Sequence, residues 1–477
     1  MSTSFSHAGT DGSTIAAVAT APGAGGVGII RISGPKALEI ATAMFRPSSP
    51  RFTGFTPRYL HHGHMLDAAG READDGLVVY FKGPNSFTGE DCVELQGHGG
   101  PAVLAALLDS VLSRGARMAE RGEFTRRAFL NGRLDLSQAE AVAELIAAPS
   151  REGVYLASAK LDGLLGKRVS ELRSRLEYLR QRVCLAIDFP DEEGECLPPQ
   201  EFTAITRDVA QGIRTLLAGY ERARCWREGA LVVLAGQVNA GKSSLMNAFL
   251  GRNRAIVTER PGTTRDYLEE HTTLAGLPVR LVDTAGLRQH SDDSIELEGM
   301  RRGQEMADNA RCVLLVLDGK KAAGEASSAG DELFSVFAEE QALLEKLGTA
   351  RCLAVWNKSD VAPLPAEMTS FFGAPLLAVS SKEGTGIDEL CAAVRALCLG
   401  ESTPEEGDIA PNLRQADKLR QALAALEALE AAIALSMPPD LCSIHLEAAS
   451  AHLADITGLN STEETLNSIF ESFCIGK

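Results

Sequence analysis

The chain runs to 477 residues with 47 basic and 64 acidic side chains, a net charge of −17, which suggests about three domains and rules out a single small module. Its 45% apolar and 23% charged composition lies near the globular average, so disordered and fibrous classes drop out. The acidic balance also argues against a protein that coats nucleic acid nonspecifically, because that binding is driven by basic charge displacing counterions, although a local basic patch is still allowed.

The N-terminus, MSTSFSHAGTDGST, has no basic flank leading into an apolar core, and no apolar run approaches the ~20 residues that span a bilayer. The ten cysteines never fall in a Cys-x-x-Cys pair, which fits a reducing compartment. A cytoplasmic protein with no membrane partner is expected.

Within residues 1–130, strand-like pieces at 14–19, 27–32 and 76–81 and a helical stretch at 101–112 predict an α+β domain. His61-His62-Gly-His64 lacks a carboxylate or Cys at matching ligand spacing and is read as a loop cluster. From 136 to 221 the pattern turns helical, as it does again from 412, where residues 413–437 repeat apolar side chains at helical spacing. The arginines of the first stretch, Arg168, Arg173, Arg175, Arg180 and Arg182, read either as an RNA-binding face or as helix solubility.

Between the helical stretches lie four short apolar runs, 231–235, 279–282, 313–317 and 352–356, which look like buried parallel strands. Two helical segments around one complete α/β unit predict an inserted domain, with 401–407 as its exit linker. The expected limits are therefore 1–130, 131–224 and 403–477 for the α+β and the two helical parts, and 225–402 for the insert.

Each apolar run ends in a polar cluster, where open α/β sheets place their ligands. Gly236-Gln-Val-Asn-Ala-Gly241-Lys242-Ser243 matches the phosphate-binding pattern G-x-x-x-x-G-K-[ST], followed by a predicted helix at 244–250. In such a loop, backbone N–H groups surround phosphate oxygens, Lys242 reaches the β- and γ-phosphates, and the Ser243 hydroxyl binds Mg²⁺. Asp283-Thr284-Ala285-Gly286 puts a carboxylate near that Mg²⁺ and a Gly N–H near a γ-phosphate. Asn357-Lys358-Ser359-Asp360 resembles the guanine-reading motif of GTPases, in which the Asp accepts from the N1–H and exocyclic amine. Ser380-Ser381-Lys382, after a strand at 375–379, resembles the remaining base-contact loop.

Leu287 follows Gly286, where Ras-like enzymes carry the Gln that orients the attacking water. An arginine finger contributes about 10³ to 10⁵ in rate, so whatever replaces that machinery must be electrostatically strong. A second cation and a carboxylate base are the two candidates. Asn239 and the segment Pro261-Gly262-Thr263-Thr264-Arg265-Asp266 offer oxygens for a monovalent cation.

Further stretches complete the pattern: Pro22 to Gly34, Gly83-Pro-Asn-Ser-Phe-Thr-Gly-Glu-Asp91, Glu94-Leu-Gln-Gly-His-Gly-Gly100, Gly122-Glu-Phe-Thr-Arg-Arg-Ala-Phe-Leu-Asn131 and Phe473-Cys-Ile-Gly-Lys477. Over essentially its whole length the chain resembles the MnmE (TrmE) family of tRNA-modification GTPases. The resemblance implies a multidomain homodimer with an α+β folate-binding N-terminal domain, a helical domain and an inserted Ras-like P-loop GTPase domain. It implies K⁺-dependent GTP hydrolysis with Mg²⁺. It also implies joint action with the FAD-containing partner MnmG, in a heterotetramer or larger complex, on the wobble uridine of tRNA. The one-carbon unit would come from 5,10-methylene- or 5-formyl-tetrahydrofolate. A regulatory GTPase switch for ribosome or RNA assembly is the alternative, and the N-terminal module and terminal Cys are what such a switch would not need.

Residue by residue, the resemblance implies a GTP site of Asn239, Ala240, Gly241, Lys242, Ser243, Ser244, Thr258, Thr263, Thr264, Asp283, Thr284, Ala285, Gly286, Asn357, Lys358, Asp360, Ser380, Ser381 and Lys382. It assigns K⁺ to Asn239, Thr258, Arg260 and Thr263, and Mg²⁺ to Ser243 and Thr264. The catalytic carboxylate becomes Glu296, with Glu298 as the alternative because this stretch is one residue longer than the family pattern. Folate falls to Arg31, Glu94, Arg133 and Lys477, and Cys474 to the modification chemistry. On their own these residues also read as an edge-strand charge, a solvated face, a helix-entry residue and a small hydrophobe near a frayed end. Departures from the family pattern are Gln237-Val238 in the phosphate loop, Ala24 where an Arg is frequent, and residues 258–261 in the potassium loop.

Overall fold

The computed structural model describes residues 12–188, 199–252, 269–283, 306–325, 336–399, 408–435 and 437–477. The chain divides into two compact units, the first made of Met1–Ile146, Ser158–Thr215 and Pro411–Lys477, the second of Ala147–Ala157 and Leu216–Ala410. In sequence the second interrupts the first.

The first unit opens with a seven-stranded sheet. Its strands are β1 (Ile15–Val18), β2 (Gly25–Ser33), β3 (Phe45–Pro47), β4 (Leu60–Leu66), β5 (Glu72–Phe81), β6 (Cys92–Gly99) and β7 (Arg117–Met118), in the order β3-β4-β5-β6-β2-β1-β7. Neighbours are antiparallel except β1 and β7, which are parallel. One face is apolar: Ile30, Ile32, Val78, Val93 and Leu95 pack on α1 (Ala37–Ala43) and α2 (Pro101–Ser113). Strand alternation turns Arg31 to the other face, and the β2–β6 register sets it opposite Glu94.

His61, His62 and His64 lie on β4, not in a loop, and the pleat turns His61 to one face and His62 and His64 to the other. His62 pairs with Asp75 at 3.1 Å, while His61 packs against Phe52, Phe55 and Tyr59 and accepts the Thr56 N–H at its Nε2. Among the described residues no group of three His, Cys, Asp or Glu is arranged to hold a metal.

Helices complete this unit: α3 (Glu123–Leu130), α4 (Leu136–Ala147), only the end of α5 (Arg151–Leu161), whose residues up to Ala157 belong to the second unit, α6 (Leu164–Asp188), the first part of α7 (Pro199–Glu228), and α12 (Leu413–Ala434), α13 (Pro439–Thr457) and α14 (Glu463–Glu471). Asn412 opens α12 with a full capping box, its side chain accepting from the Gln415 N–H while Gln415 accepts from the Asn412 N–H. Leu136 and Ala139 of α4 pack on Leu466, Phe470 and Phe473, which brings the C-terminal tail back to the sheet. The tail pairs with the chain at Arg121↔Ile475.

The second unit carries a second seven-stranded sheet, with β8 (Ala230–Ala235), β9 (Glu269–Leu274), β10 (Leu277–Asp283), β11 (Cys312–Asp318), β12 (Cys352–Asn357), β13 (Ser370–Phe371) and β14 (Ala374–Ala378). The order is β13-β14-β12-β11-β8-β10-β9, with five parallel strands in the centre and antiparallel β13 and β9 at the edges. Both faces are buried. Val232 and Leu234 enter one core with Leu245 and Phe249 of α8 (Lys242–Arg252) and with Leu390 and Val394 of α11 (Ile387–Leu399). Val233 and Ala235 enter another with Ala322 of α9 (Gly319–Glu325) and Leu344 of α10 (Ala338–Leu347). The architecture is multidomain: an α+β N-terminal part, a helical part and a P-loop α/β part.

Candidate functional site

In the α/β unit the sheet order reverses at β8, whose successors lie on opposite sides of it, β10 on one and β11 on the other. The crevice beyond the strand ends at such a reversal is where open α/β sheets bind ligands. The loop 236–241 leaves β8 there and enters α8, whose first turn holds no acidic residue, so its N-terminal N–H groups and dipole favour an anion.

Two glycines make this loop possible. Gly236 has φ 141°, and a Cβ there would meet the Val316 carbonyl at 2.4 Å. Gly241 has φ 94°, and a Cβ would come within 2.2 Å of Asn357 Nδ2. Asn239 also takes a positive φ of 66°, a conformation that Asn tolerates better than most residues. Lys242 is buried, and its ammonium donates to the carbonyls of Gly236 at 2.7 Å and Gln237 at 2.8 Å. The Ser243 hydroxyl donates to Asp283 Oδ2 at 2.9 Å, which sets two hard oxygen atoms side by side at the end of β10.

Asn357, buried at the end of β12, fastens three loops. Its Nδ2 donates to the Ala240 carbonyl at 2.9 Å, and its Oδ1 accepts from the Ser381 hydroxyl at 2.9 Å and the Ser381 N–H at 3.2 Å. Lys358, at φ 63°, lays its ammonium on the Asn239 carbonyl at 2.9 Å and on Asp318 Oδ2 at 2.6 Å. Asp360 is exposed, with one oxygen held by the Ser380 hydroxyl at 2.6 Å. Lys382 is exposed beside it in sequence.

A second cluster forms on the polar face of the N-terminal sheet. Arg31 Nε and one terminal nitrogen donate to Glu94 Oε1 at 3.0 and 2.9 Å, and the other donates to the Gly476 carbonyl at 3.4 Å. The guanidinium lies 5.7 Å from the Phe87 ring and 5.8 Å from that of Phe124. Lys477 is half-buried; its burial and the nearby Arg31 push its ammonium pKa down, against the opposing pull of Glu94 and Cys474. The loop that carries Phe87 also packs Gly89 against the stem of Arg133.

The tail is docked rather than frayed: Phe473 is 4% exposed, and the Gly122 N–H donates to the Cys474 carbonyl at 3.4 Å. Gly476 fits only without a side chain, since a Cβ would meet the Val18 carbonyl at 2.3 Å. Cys474 itself is exposed, which removes the reading of it as a buried small hydrophobe. Arg31, Glu94, Cys474 and Lys477 thus converge, although they come from opposite ends of the chain.

Residues 14–133 match the family model described as GTP-binding protein TrmE N-terminus, and residues 136–474 match the one described as MnmE helical domain. The chain is 53% identical over 467 residues to the tRNA modification GTPase MnmE of Nitratidesulfovibrio vulgaris, covering 97% of this chain and 99% of the relative. It is 46% identical to that of Lawsonia intracellularis, with the same coverage of both chains. The chain belongs to the MnmE family of tRNA modification GTPases. A solved GTP-binding protein from Sulfolobus solfataricus in complex with GDP aligns with 63% of this chain and 78% of its own at 15% identity and a TM-score of 0.27, too loose a match to carry weight.

Several positions implied by the MnmE resemblance, namely Thr258, Arg260, Thr263, Thr264, Thr284, Ala285, Gly286, Glu296 and Glu298, lie outside the described residues. So do Leu287 and the exit linker at 401–407. On α6, three of the basic side chains already have acidic partners: Arg168 with Glu171, Arg175 with Asp208 and Arg180 with Glu177. Two contributors to the nucleotide cluster escape motif reading, Asp318 at the end of β11 and Glu340 in the first turn of α10. Asp318 had a signal in its place after an apolar run, and Glu340 had none.

Proposed function

We propose that the chain is a K⁺-activated GTP hydrolase coupled to modification of tRNA, adding an aminomethyl or carboxymethylaminomethyl group to C5 of the wobble uridine. It would act as a cytoplasmic homodimer with the FAD-containing partner MnmG, in a heterotetramer or larger complex. The one-carbon unit would come from 5,10-methylene- or 5-formyl-tetrahydrofolate. The observation that carries the proposal is that one chain holds two unlike clusters, the phosphate-loop motif fastened by Asn357 and the Arg31–Glu94 pair under a docked Cys474–Lys477 tail. A GTPase switch for ribosome or RNA assembly has no use for the second.

In the nucleotide cluster, the N–H groups of 239–244 would hold phosphate oxygens, with Lys242 neutralising the β- and γ-phosphates. Ser243 and Thr264 would hold Mg²⁺, with Asp283 adjacent; the Ser243–Asp283 oxygen pair is the hard donor set that this ion takes. Thr284, Ala285 and Gly286 would line the γ-phosphate side. Asp360 would accept from the guanine N1–H and amine, steadied by Ser380, while Asn357, Lys358, Ser381 and Lys382 frame the base. Asn239, Thr258, Arg260 and Thr263 would hold K⁺, and Glu296, or its neighbour Glu298, would orient the attacking water.

In the second cluster, Arg31, Glu94, Arg133 and Lys477 would bind the folate, and Cys474 would serve as nucleophile or proton donor. The division of labour follows the limits 1–130, 131–224, 225–402 and 403–477. Mass spectrometry of tRNA nucleosides from a strain lacking the protein tests the reading. Loss of the C5 wobble modification supports it, and an unchanged nucleoside profile sinks it.

A further inference from the structure

In the nucleotide unit, a polar cluster joins the phosphate loop to Glu340 and Lys321, two residues outside the nucleotide motifs. Gln237, the first variable residue of the phosphate loop, is gripped from two helices. Its backbone N–H donates to Glu340 Oε1 at 2.7 Å, and its Nε2 donates to Glu340 Oε2 at 3.2 Å and to the Val336 carbonyl at 2.9 Å. Its Oε1 accepts from Lys321 Nζ at 2.8 Å. An ammonium only donates, so Lys321 fixes which end of the amide is oxygen, and the nitrogen then faces the carboxylate.

The cost of the arrangement shows that it is held in place. Glu340 is 2% exposed, and burying a carboxylate without partners is strongly unfavourable. Two N–H donors from Gln237 and a place in the first turn of α10, where the helix dipole favours negative charge, offset that cost. The carbonyl of the same Gln237 is one of the two acceptors that hold the Lys242 ammonium. A chain of hydrogen bonds therefore runs from α10 through Gln237 to the lysine.

We propose that Glu340, with Lys321 on the far side of the amide, is a positioning residue for the phosphate loop. It fixes the Gly236 and Gln237 carbonyls and through them sets the Lys242 ammonium at the height that β- and γ-phosphates require. Gln237 is one of this chain's departures from its family pattern, and its amide is what lets one residue face a carboxylate and an ammonium together. The inference rests on the guanine-nucleotide reading of this site.

The test is competition binding of GMP, GDP and GTP against a fluorescent GDP on the full-length protein, comparing wild type with Glu340→Gln and Lys321→Met. Glu340→Gln sets an amide nitrogen against the Gln237 amide nitrogen or loses one of its two contacts. It should weaken GDP and GTP about tenfold while leaving GMP within twofold, because Lys242 acts beyond the α-phosphate. Lys321→Met, at a half-buried position and easily tolerated, should weaken GDP and GTP about threefold with GMP again spared. A plain packing defect would weaken all three nucleotides equally, and that result overturns the proposal, as does wild-type GDP affinity in Lys321→Met. A wild-type protein that binds no guanine nucleotide is a different outcome. It removes the reading of the site itself, and this inference with it.

Discussion

Arg31 and Gly476 are 445 positions apart in the chain and meet across a 3.4 Å hydrogen bond, whereas Lys242 reaches carbonyls only six and five positions away. The nucleotide cluster is built from short loops, each on the end of a strand that is buried on both faces. The Arg31 cluster is built by a tail that returns to the more polar face of a sheet, a face that α3 covers at one side through Phe124 against Ile15 and Ala17. A site of the first kind tolerates change elsewhere in the chain. One of the second kind fails whenever the tail is displaced, so the two clusters should be separable by mutation.

The largest expected separation comes at Cys474. Its thiol is exposed, so Cys474→Ser removes no buried volume and changes one atom near Lys477. The modified nucleoside should vanish in vivo while GTP hydrolysis by the purified variant stays near wild type. Wild-type modification by the variant would leave Cys474 with no part in the chemistry.

Stability should divide along the same line. Arg127 is 2% exposed in the N-terminal part and pairs with Glu123 at 2.9 Å and Glu90 at 3.1 Å. Arg127→Met leaves these carboxylates without that cation, a change that costs about 3–5 kcal/mol when the pair is buried. Calorimetry should show a lowered transition for the unit that contains it, recognisable as the one that GTP does not raise. A shift only in the GTP-responsive transition would contradict this assignment.

The contrast between the clusters also explains what a reader of the sequence meets. Val232, Val233, Leu234 and Ala235 are all buried because helices cover both sheet faces, so β8 stands out as an unbroken apolar run with its motif attached. On the N-terminal sheet, β4 carries His61, His62 and His64 on two faces and has no apolar run, so it passes for a loop. The partners of Arg31 lie 63 and 445 positions away, and no spacing rule connects them. That cluster is visible in sequence only through family resemblance. The Gln237–Glu340 bond spans 103 positions and is hidden for the same reason, even though it belongs to the more legible unit.

Within the nucleotide cluster, hydrolysis should be faster in K⁺ than in Na⁺ at equal ionic strength. Asn239 stands at the loop tip in a positive-φ conformation, with its carbonyl held by Lys358. Asn239→Ala should erase the salt difference and cost about 10² to 10³ in rate, the range seen when one preorganised electrostatic contact is lost. Equal rates in both salts would send the search back to an arginine. Nucleotide preference gives a smaller effect: Asp360→Asn should shift selection from GTP toward xanthosine triphosphate by about 10- to 10²-fold, the one charged hydrogen bond to the exocyclic amine being exchanged at ~1.5–3 kcal/mol while the amide oxygen still accepts from N1–H. Undiminished GTP preference would take Asp360 out of the base site.

The smallest effect is the response of the first unit to acid. Burial alone pushes the Glu123 carboxyl upward, but the guanidinium groups of Arg117 and Arg127 and the Glu120 N–H outweigh it, so the group titrates below its ordinary value of 4.5. A carboxyl with a depressed folded pKa gives stability that is fully present above the unfolded value and is lost as pH falls through the folded one. The unit's transition should therefore weaken progressively from about pH 4.5 downward. Arg117→Met removes contacts at 2.6 and 2.8 Å and should make that loss shallower, because less of the depression remains to be titrated away. A melting curve whose acid slope is the same in wild type and Arg117→Met would show that the Arg117 contacts contribute nothing to it. The acid sensitivity would then have to arise elsewhere in the same unit, with Glu177, also held below its ordinary value by Ser450 and Arg180 against burial, as the next group to examine.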